Sequence, residues 1–171
     1  MNNDTLFIDY RKTPLIVIDM QEAYYTATRR KGILKAVARE IKDAVKRNAL
    51  IIFVEYPQCD FPETYKSLTN LTKNYEQCLF AVKDQTDGSE EIVEVACDWG
   101  VSLSRFRTIR VCGVEANCCV EETVQGLMEH YQNNDVVFHV VEDAVANPDV
   151  PVQWEFIEGQ QGQCRIKRKA S

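Results

Sequence analysis

Short apolar runs alternate along the chain with longer stretches in which apolar residues recur every three or four positions. The first run, "LIVIDM" (Leu15 to Met20), is almost unbroken, as expected of a strand covered on both faces. A helical stripe follows in Ile33, Leu34, Val37, Ile41, Ala44 and Val45, with Asn48 placed to stop it. "ALIIFVEY" (Ala49 to Tyr56) is a second buried run, closed by Pro57 and a polar, turn-rich segment through Asn74. "CLFAVK" (Cys78 to Lys83) is the third. Ser89, with Glu90 and Glu91 in the first turn, caps a helix striped by Ile92, Val93, Ala96 and Cys97 and ended by Gly100.

"TIRVCGV" (Thr108 to Val114) is the fourth strand, and Val120, Val124, Leu127, Met128 and Tyr131 mark one face of the next helix, stopped by Asn133 and Asn134. "DVVFHVV" (Asp135 to Val141) is the fifth strand. In the tail, "PVQWEFIEG" reads as a short helix and "QCRIKRK" as a sixth strand at a sheet edge, where its charges are tolerated. Alternating strands and helices joined by right-handed crossovers predict a doubly wound, Rossmann-like α/β domain. Its sheet is expected to have five to six strands, mostly parallel, with helices on both faces. No repeat or composition shift divides residues 1–171, so one domain is expected.

Composition narrows the function. At 171 residues and 45% hydrophobic, the chain can bury a core without disulfides or a structural metal. Twenty basic against twenty-six acidic residues give a formal charge of -6, which argues against nucleic acid as a partner; the only basic runs are Arg29 to Lys31 and Lys167 to Lys169. Charges at Asp9, Arg11, Lys12 and Asp19 interrupt the first apolar stretch, so neither a signal peptide nor a membrane span is expected and the protein is placed in the cytoplasm. Seven cysteines without CxxC spacing fit reduced thiols better than a disulfide framework or a zinc site.

In doubly wound sheets ligands bind beyond the carboxyl ends of the strands, near the point where strand order reverses. Asp19 ends the first strand, Lys83 ends the third, and Cys118 and Cys119 follow the fourth by one turn, so an acid, an amine and a thiol converge on one rim. A thiol at a helix N-terminus is partly deprotonated by the unpaired amides there, whereas Glu121 and Glu122 oppose that. The two histidines, His130 and His139, lie in a helix stripe and inside a strand, which leaves Asp19 as the best-placed base. No G-x-G-x-x-G or P-loop follows any strand, and no cofactor is expected.

"LIVIDMQ", the lysine closing "FAVK", and "VCGVEANCCVEET" followed by "VVFHVVEDAVA" together resemble the isochorismatase-like cysteine hydrolases, a superfamily that includes nicotinamidases, N-carbamoylsarcosine amidases and ureidoacrylate hydrolases. The likeness runs from about Leu15 to Ala146, and the third motif is its specific part. The resemblance implies Cys119 as nucleophile with Cys118 as a neighbour, Asp19 and Lys83 as its acid and lysine, and a cis peptide at Val114–Glu115. It also implies an oxyanion hole from the amides of Glu115 and Cys119. Gln21 and Tyr24, just past the first strand, are the candidates for substrate contact.

The implied reaction is thioester-mediated hydrolysis of a C–N bond in a small amide, carbamoyl or ureido compound, by a homo-oligomer that needs neither nucleic acid nor membrane. Enol-ether hydrolysis of the isochorismatase type, or a binding protein that has lost turnover, are the alternatives; a redox pair of Cys118 and Cys119 ranks below them because adjacent cysteines close a strained ring. Two departures stand out. "EYPQCDFPETYKSL" lacks the histidines that ligate metal in nicotinamidases of this family, so neither a metal nor nicotinamide is implied. "KDQTDGSEE" replaces the family's pocket wall after the lysine, and the helix after the fifth strand is cut down to about "PVQWEFIE".

Overall fold

The computed structural model describes residues 8–26, 30, 32–57, 62–158 and 163–167. Arg29, Lys31, Cys59, Gly159, Arg168 and Lys169 lie outside the described residues. Six strands form one sheet in the order β3-β2-β1-β4-β5-β6: β1 Leu15–Ile18, β2 Ile51–Glu55, β3 Cys78–Val82, β4 Thr108–Val114, β5 Val137–Ala146 and β6 Cys164–Lys167. Every pairing is parallel, so the sheet is six-stranded and wholly parallel, at the upper end of the expectation. Strand order reverses between β1 and β4, which makes the carboxyl ends of these two strands the switch point.

Because successive side chains on a strand face opposite ways, the unbroken apolar runs supply two cores at once. Ile16, Ile18, Ile52, Val54, Ile109 and Val111 enter one buried cluster. Leu15, Val17, Ile51, Phe53, Cys112 and Val114 enter the other. Helix α1 (Ile33–Lys46) covers the second cluster with Ile33, Ala36, Val37, Ile41 and Ala44, and ends just before Asn48, which takes a positive φ of 53°. After the helical turn α2 (Lys66–Thr69), helices α3 (Ser89–Asp98) and α4 (Glu121–His130) cover the first cluster, with Ile92 and Ala96 from α3 and Val124, Leu127 and Met128 from α4. The short α5 (Trp154–Glu158) packs on α4 and β6.

Two sequence-level details change. The amide of Ser89 is met by the Asp87 carboxylate at 2.8 Å, so Ser89 is the first helical residue and the capping carboxylate lies two residues earlier. β5 runs five residues past Val141, to Ala146, because a register shift opposite Val111 to Gly113 lets it resume pairing as Gly113 with Val145.

That shift sits beside the tightest backbone approach of the sheet. Gly113 has φ +132°, and a Cβ there would lie 2.0 Å from the Ile18 carbonyl oxygen, so only glycine lets β4 lie against the end of β1. We expect Gly113→Ala to cost about 4 kcal/mol or more, as an overpacked and conformationally strained core site. Gly100, at φ +71° with nothing within 4 Å of the added carbon, should lose only about 1–2 kcal/mol as alanine. Urea denaturation of both variants checks this; equal losses would show that the contact with Ile18 is unimportant.

Candidate active site

At the switch point the chain leaves β1 through Asp19 in a left-handed conformation, φ 49°, with its amide on the Val54 carbonyl at 3.0 Å. This turn places the carboxylate beneath the rim rather than out of it, and the residue is fully buried. Lys83, directly after β3, is also fully buried, and its Nζ lies 2.8 Å from Asp19 Oδ2. Two strand spacings, about 9.6 Å, separate the two chain positions, so the lysine stem must run past β2. Gly88 makes room for it: a Cβ there would sit 3.1 Å from Lys83 Cδ and 3.0 Å from Val54 Cγ1.

The loop after β3 is what holds this lysine. Nζ donates to the Thr86 carbonyl at 2.7 Å, the Thr86 hydroxyl bonds the Glu122 carboxylate, and the Gly88 amide donates to Thr123 Oγ1 at 3.0 Å. "KDQTDG" is therefore strapped to the first turn of α4, beside the thiols.

Cys119 lies in a wide π-helical turn, Ala116–Val120, that precedes α4, and is 5% exposed. It lies close enough to the Asp19 carboxylate for each group to shift the other's pKa. Among the described residues neither Asp19 carboxylate oxygen has a hydrogen bond of good geometry, so what faces the carboxylate is the Lys83 cation of the ion pair, with the thiol nearby. Burial pushes the Asp19 carboxyl up from its usual value, opposed by Lys83 and by the nearby Cys119 thiol. Burial, and after it the negative charge of Asp19, pushes the Cys119 thiol far above the ordinary range, with Lys83 opposing. Cys119 sits in the turn just ahead of α4, buried beside a carboxylate, and both features raise its pKa, in opposition to the lowering expected of a helix terminus.

The Val114–Glu115 peptide is cis. The amides flanking Cys119 in the turn are committed: Asn117 N to Asn147 Oδ1 at 2.9 Å, and Cys118 N and Val120 N to the Glu115 carbonyl at 3.3 and 3.1 Å.

The model of the Isochorismatase domain matches residues 13–159. The chain belongs to the isochorismatase family. Among solved structures, the MAR1 ribonuclease of Caenorhabditis elegans is 23% identical with a TM-score of 0.66, covering 83% of this chain and 68% of that one. The nicotinamidase SaPncA of Staphylococcus aureus is 16% identical with a TM-score of 0.65, covering 81% and 87%. The pyrazinamidase of Pyrococcus horikoshii, solved in complex with zinc, is 18% identical with a TM-score of 0.66, covering 92% and 99%. These likenesses show the fold. No curated protein matches the chain.

The chain is an isochorismatase-family hydrolase. Among the described residues no three histidine, cysteine, aspartate or glutamate side chains converge. Glu55, at the end of β2, instead accepts the Thr64 amide at 2.8 Å.

Of the substrate-contact candidates, Gln21 is fully buried and its side-chain amide is engaged by the loop after β2: Nε2 donates to the Tyr56 and Pro62 carbonyls, and Oε1 accepts the Tyr56 amide at 2.9 Å. Gln21 therefore braces the rim. Tyr24 is half-buried against the α1-side core.

Sequence reasoning missed Asn117 and Asn147. Asn147, the first residue past β5, is buried; its Nδ2 donates to Asn117 Oδ1 at 2.8 Å, while Asn117 Nδ2 reaches Glu121 at 3.0 Å and the Gln153 carbonyl at 2.8 Å. This pair ties the Cys119 turn to the end of β5. The available signal was an asparagine directly after "VEDAVA", at the same sheet edge as Asp19 and Lys83. Thr26, whose hydroxyl bonds the Glu115 carboxylate, was likewise unmarked.

The buried pair makes a testable statement about stability. Lys83→Met strands the Asp19 carboxylate, whose pKa, already raised by burial, rises further. A carboxyl raised in the folded state favours folding below its unfolded pKa and loses that contribution as pH climbs through the folded value. The deficit against the parent should be about 3–5 kcal/mol near pH 8 and should narrow toward pH 5, read from urea midpoints; a deficit independent of pH would separate the loss from Asp19.

Proposed function

We propose that this hydrolase cleaves a C–N bond of a small amide, carbamoyl or ureido compound through a thioester on Cys119. The observation that carries the reading is the Asp19 carboxylate lying between the Lys83 cation at 2.8 Å and the Cys119 thiol, all three sealed from water. Burial beside Asp19 raises the pKa of the thiol, which makes the carboxylate its natural proton acceptor. The thiol loses its proton to Asp19 as sulfur attacks the carbonyl carbon, and burial, by raising the Asp19 carboxyl, brings the acceptor's affinity closer to that of the donor. Lys83 offsets the charge and fixes the orientation of the carboxylate.

The oxyanion formed by attack is held by the amides of Glu115 and Cys119, the neighbouring amides of the turn being engaged elsewhere. Asp19 then gives its proton to the leaving nitrogen, which departs as ammonia from a primary amide or carbamoyl group, and serves again as base when water opens the thioester. Enol-ether cleavage has no use for the thiol, which favours the C–N reading over the isochorismatase-type one.

An ammonia-release screen over primary amides, carbamoyl amino acids and ureido acids, with an enol ether beside them, identifies the substrate class. On the compound turned over, Cys119→Ala and Cys119→Ser should lose about 10³-fold or more in kcat/KM and Asp19→Asn nearly as much, while Cys118→Ala stays within about fivefold. An active Cys119→Ala protein would mean that sulfur does not attack. Because Asp19 must be ionised to take the thiol proton, kcat/KM should fall on the acid side at a pH above the usual carboxylate range. An acid limb in the ordinary aspartate range would sink that assignment.

A further inference from the structure

The exposed positions of α1 are Lys35, Arg39, Lys42 and Lys46, every one of them basic. Between this face and the second half of β5 lies a groove of about 720 Å³ whose charged lining is Arg30, Lys35, Arg39, Lys42 and a single acid, Asp143. We propose that this groove binds a small ligand carrying several phosphate groups in series. The inference is independent of the hydrolytic reading and concerns a different part of the molecule.

The charges in the groove are poorly cancelled. Arg39 pairs with Asp143 at 2.8 Å, but Arg30 donates to neutral oxygens, the Asn147 carbonyl at 2.8 Å and the Val150 carbonyl at 3.1 Å. Lys35 and Lys42 make no ion pair among the described residues. Of the acids on α1, Glu40 is shared between Arg39 at 3.2 Å and Arg110 of β4 at 2.6 Å, and Asp43 faces Arg110 at 2.9 Å and Arg47, so neither reaches Lys35 or Lys42. Lys35 with Arg39, and Arg39 with Lys42, are like charges at helical neighbour spacing, an arrangement that disfavours the free groove. An excess of cations collected in one concavity of a chain with formal charge -6 is offset when an anion enters.

The shape of the row indicates the anion. Successive cations along α1 are separated by about 4.5 to 6 Å of helix rise, a spacing suited to adjoining phosphate groups rather than to one isolated carboxylate. The remaining lining is Gly32, alanines and other aliphatic residues, which let a bulky anion approach the helix closely. No aromatic side chain lines the groove to stack a base, and the net negative charge opposes a long polyanion, so a nucleic acid strand fits poorly. No large apolar side chain is exposed on α1 to enter a bilayer, which disfavours a lipid surface.

Calorimetric titration of the intact protein with inorganic tripolyphosphate, orthophosphate and a single-stranded twelve-nucleotide oligouridylate tests the proposal. Tripolyphosphate should bind saturably, at least about tenfold more tightly than orthophosphate, and weaken with salt. Lys35→Glu/Lys42→Glu should reduce that affinity by about 30-fold or more, and Lys35→Ala/Lys42→Ala by less. Lys12→Glu/Arg107→Glu makes the same change in net charge at exposed sites outside the groove and should leave it within about twofold. Thermal melts of each variant establish that it is folded. Absence of saturable tripolyphosphate binding, or an equal loss in the Lys12→Glu/Arg107→Glu protein, would overturn the site, and tighter binding of the oligonucleotide than of tripolyphosphate would replace it with a nucleic-acid surface.

Discussion

The structure turns on one buried ion pair. Asp19 and Lys83 come from strands separated by β2, both are closed to water, and they lie 2.8 Å apart. Neither charge is tolerable alone at such a site, so the local fold must keep both in place. That requirement accounts for much of the rim: the left-handed turn at Asp19, the absence of a side chain at Gly88, and the strap through Thr86 and Thr123 that anchors the lysine loop to α4. The Cys119 thiol is then added to a charge arrangement already in place.

Such a pair is a costly way to stabilise a fold and a useful way to hold a proton acceptor. A carboxylate in water would be a weak base for a thiol; enclosed, with its charge only partly offset by Lys83, it is pushed toward stronger basicity, while the same burial raises the pKa of the thiol. Geometry supplies what acidity does not. The turn that carries Cys119 is fixed at one end by Glu115, whose carbonyl takes two of its amides, and on its flank by the Asn117–Asn147 clamp to the end of β5. Strands β1, β3, β4 and β5 thus all contribute to one rim, which is what a parallel sheet with a switch point provides.

The two sides of the sheet carry different surfaces. Toward α3 and α4 the first helical turns hold Glu90, Glu91, Glu121 and Glu122, whereas the outward face of α1 is wholly basic. A formal charge of -6 therefore conceals a separation of sign across the domain thickness. The composition argument against a nucleic-acid partner averaged over that separation, and the basic runs visible in the linear sequence are not the residues that gather in the groove, apart from Arg30.

Much was legible before folding. Apolar runs without alternation can only be strands covered on both sides, and their regular exchange with helical stripes requires parallel crossovers; Leu15–Ile18, Thr108–Val114 and the α1 stripe follow from that alone. Asp19 and Lys83 could be marked because a strand's last residue is assigned to the rim by topology, and "GVEANCCV" because its resemblance is specific. Other features depended on contacts between distant segments. That Lys83 reaches past β2, that Gln21 braces a loop, that Asn147 clamps Asn117, and that the Cys119 thiol is shifted upward rather than downward all follow from burial and from partners tens of residues away. Local sequence sets periodicity and turn chemistry, whereas desolvation and charge pairing are properties of the packed molecule, so only the tertiary structure could decide the direction of the thiol's shift and the charge of each face.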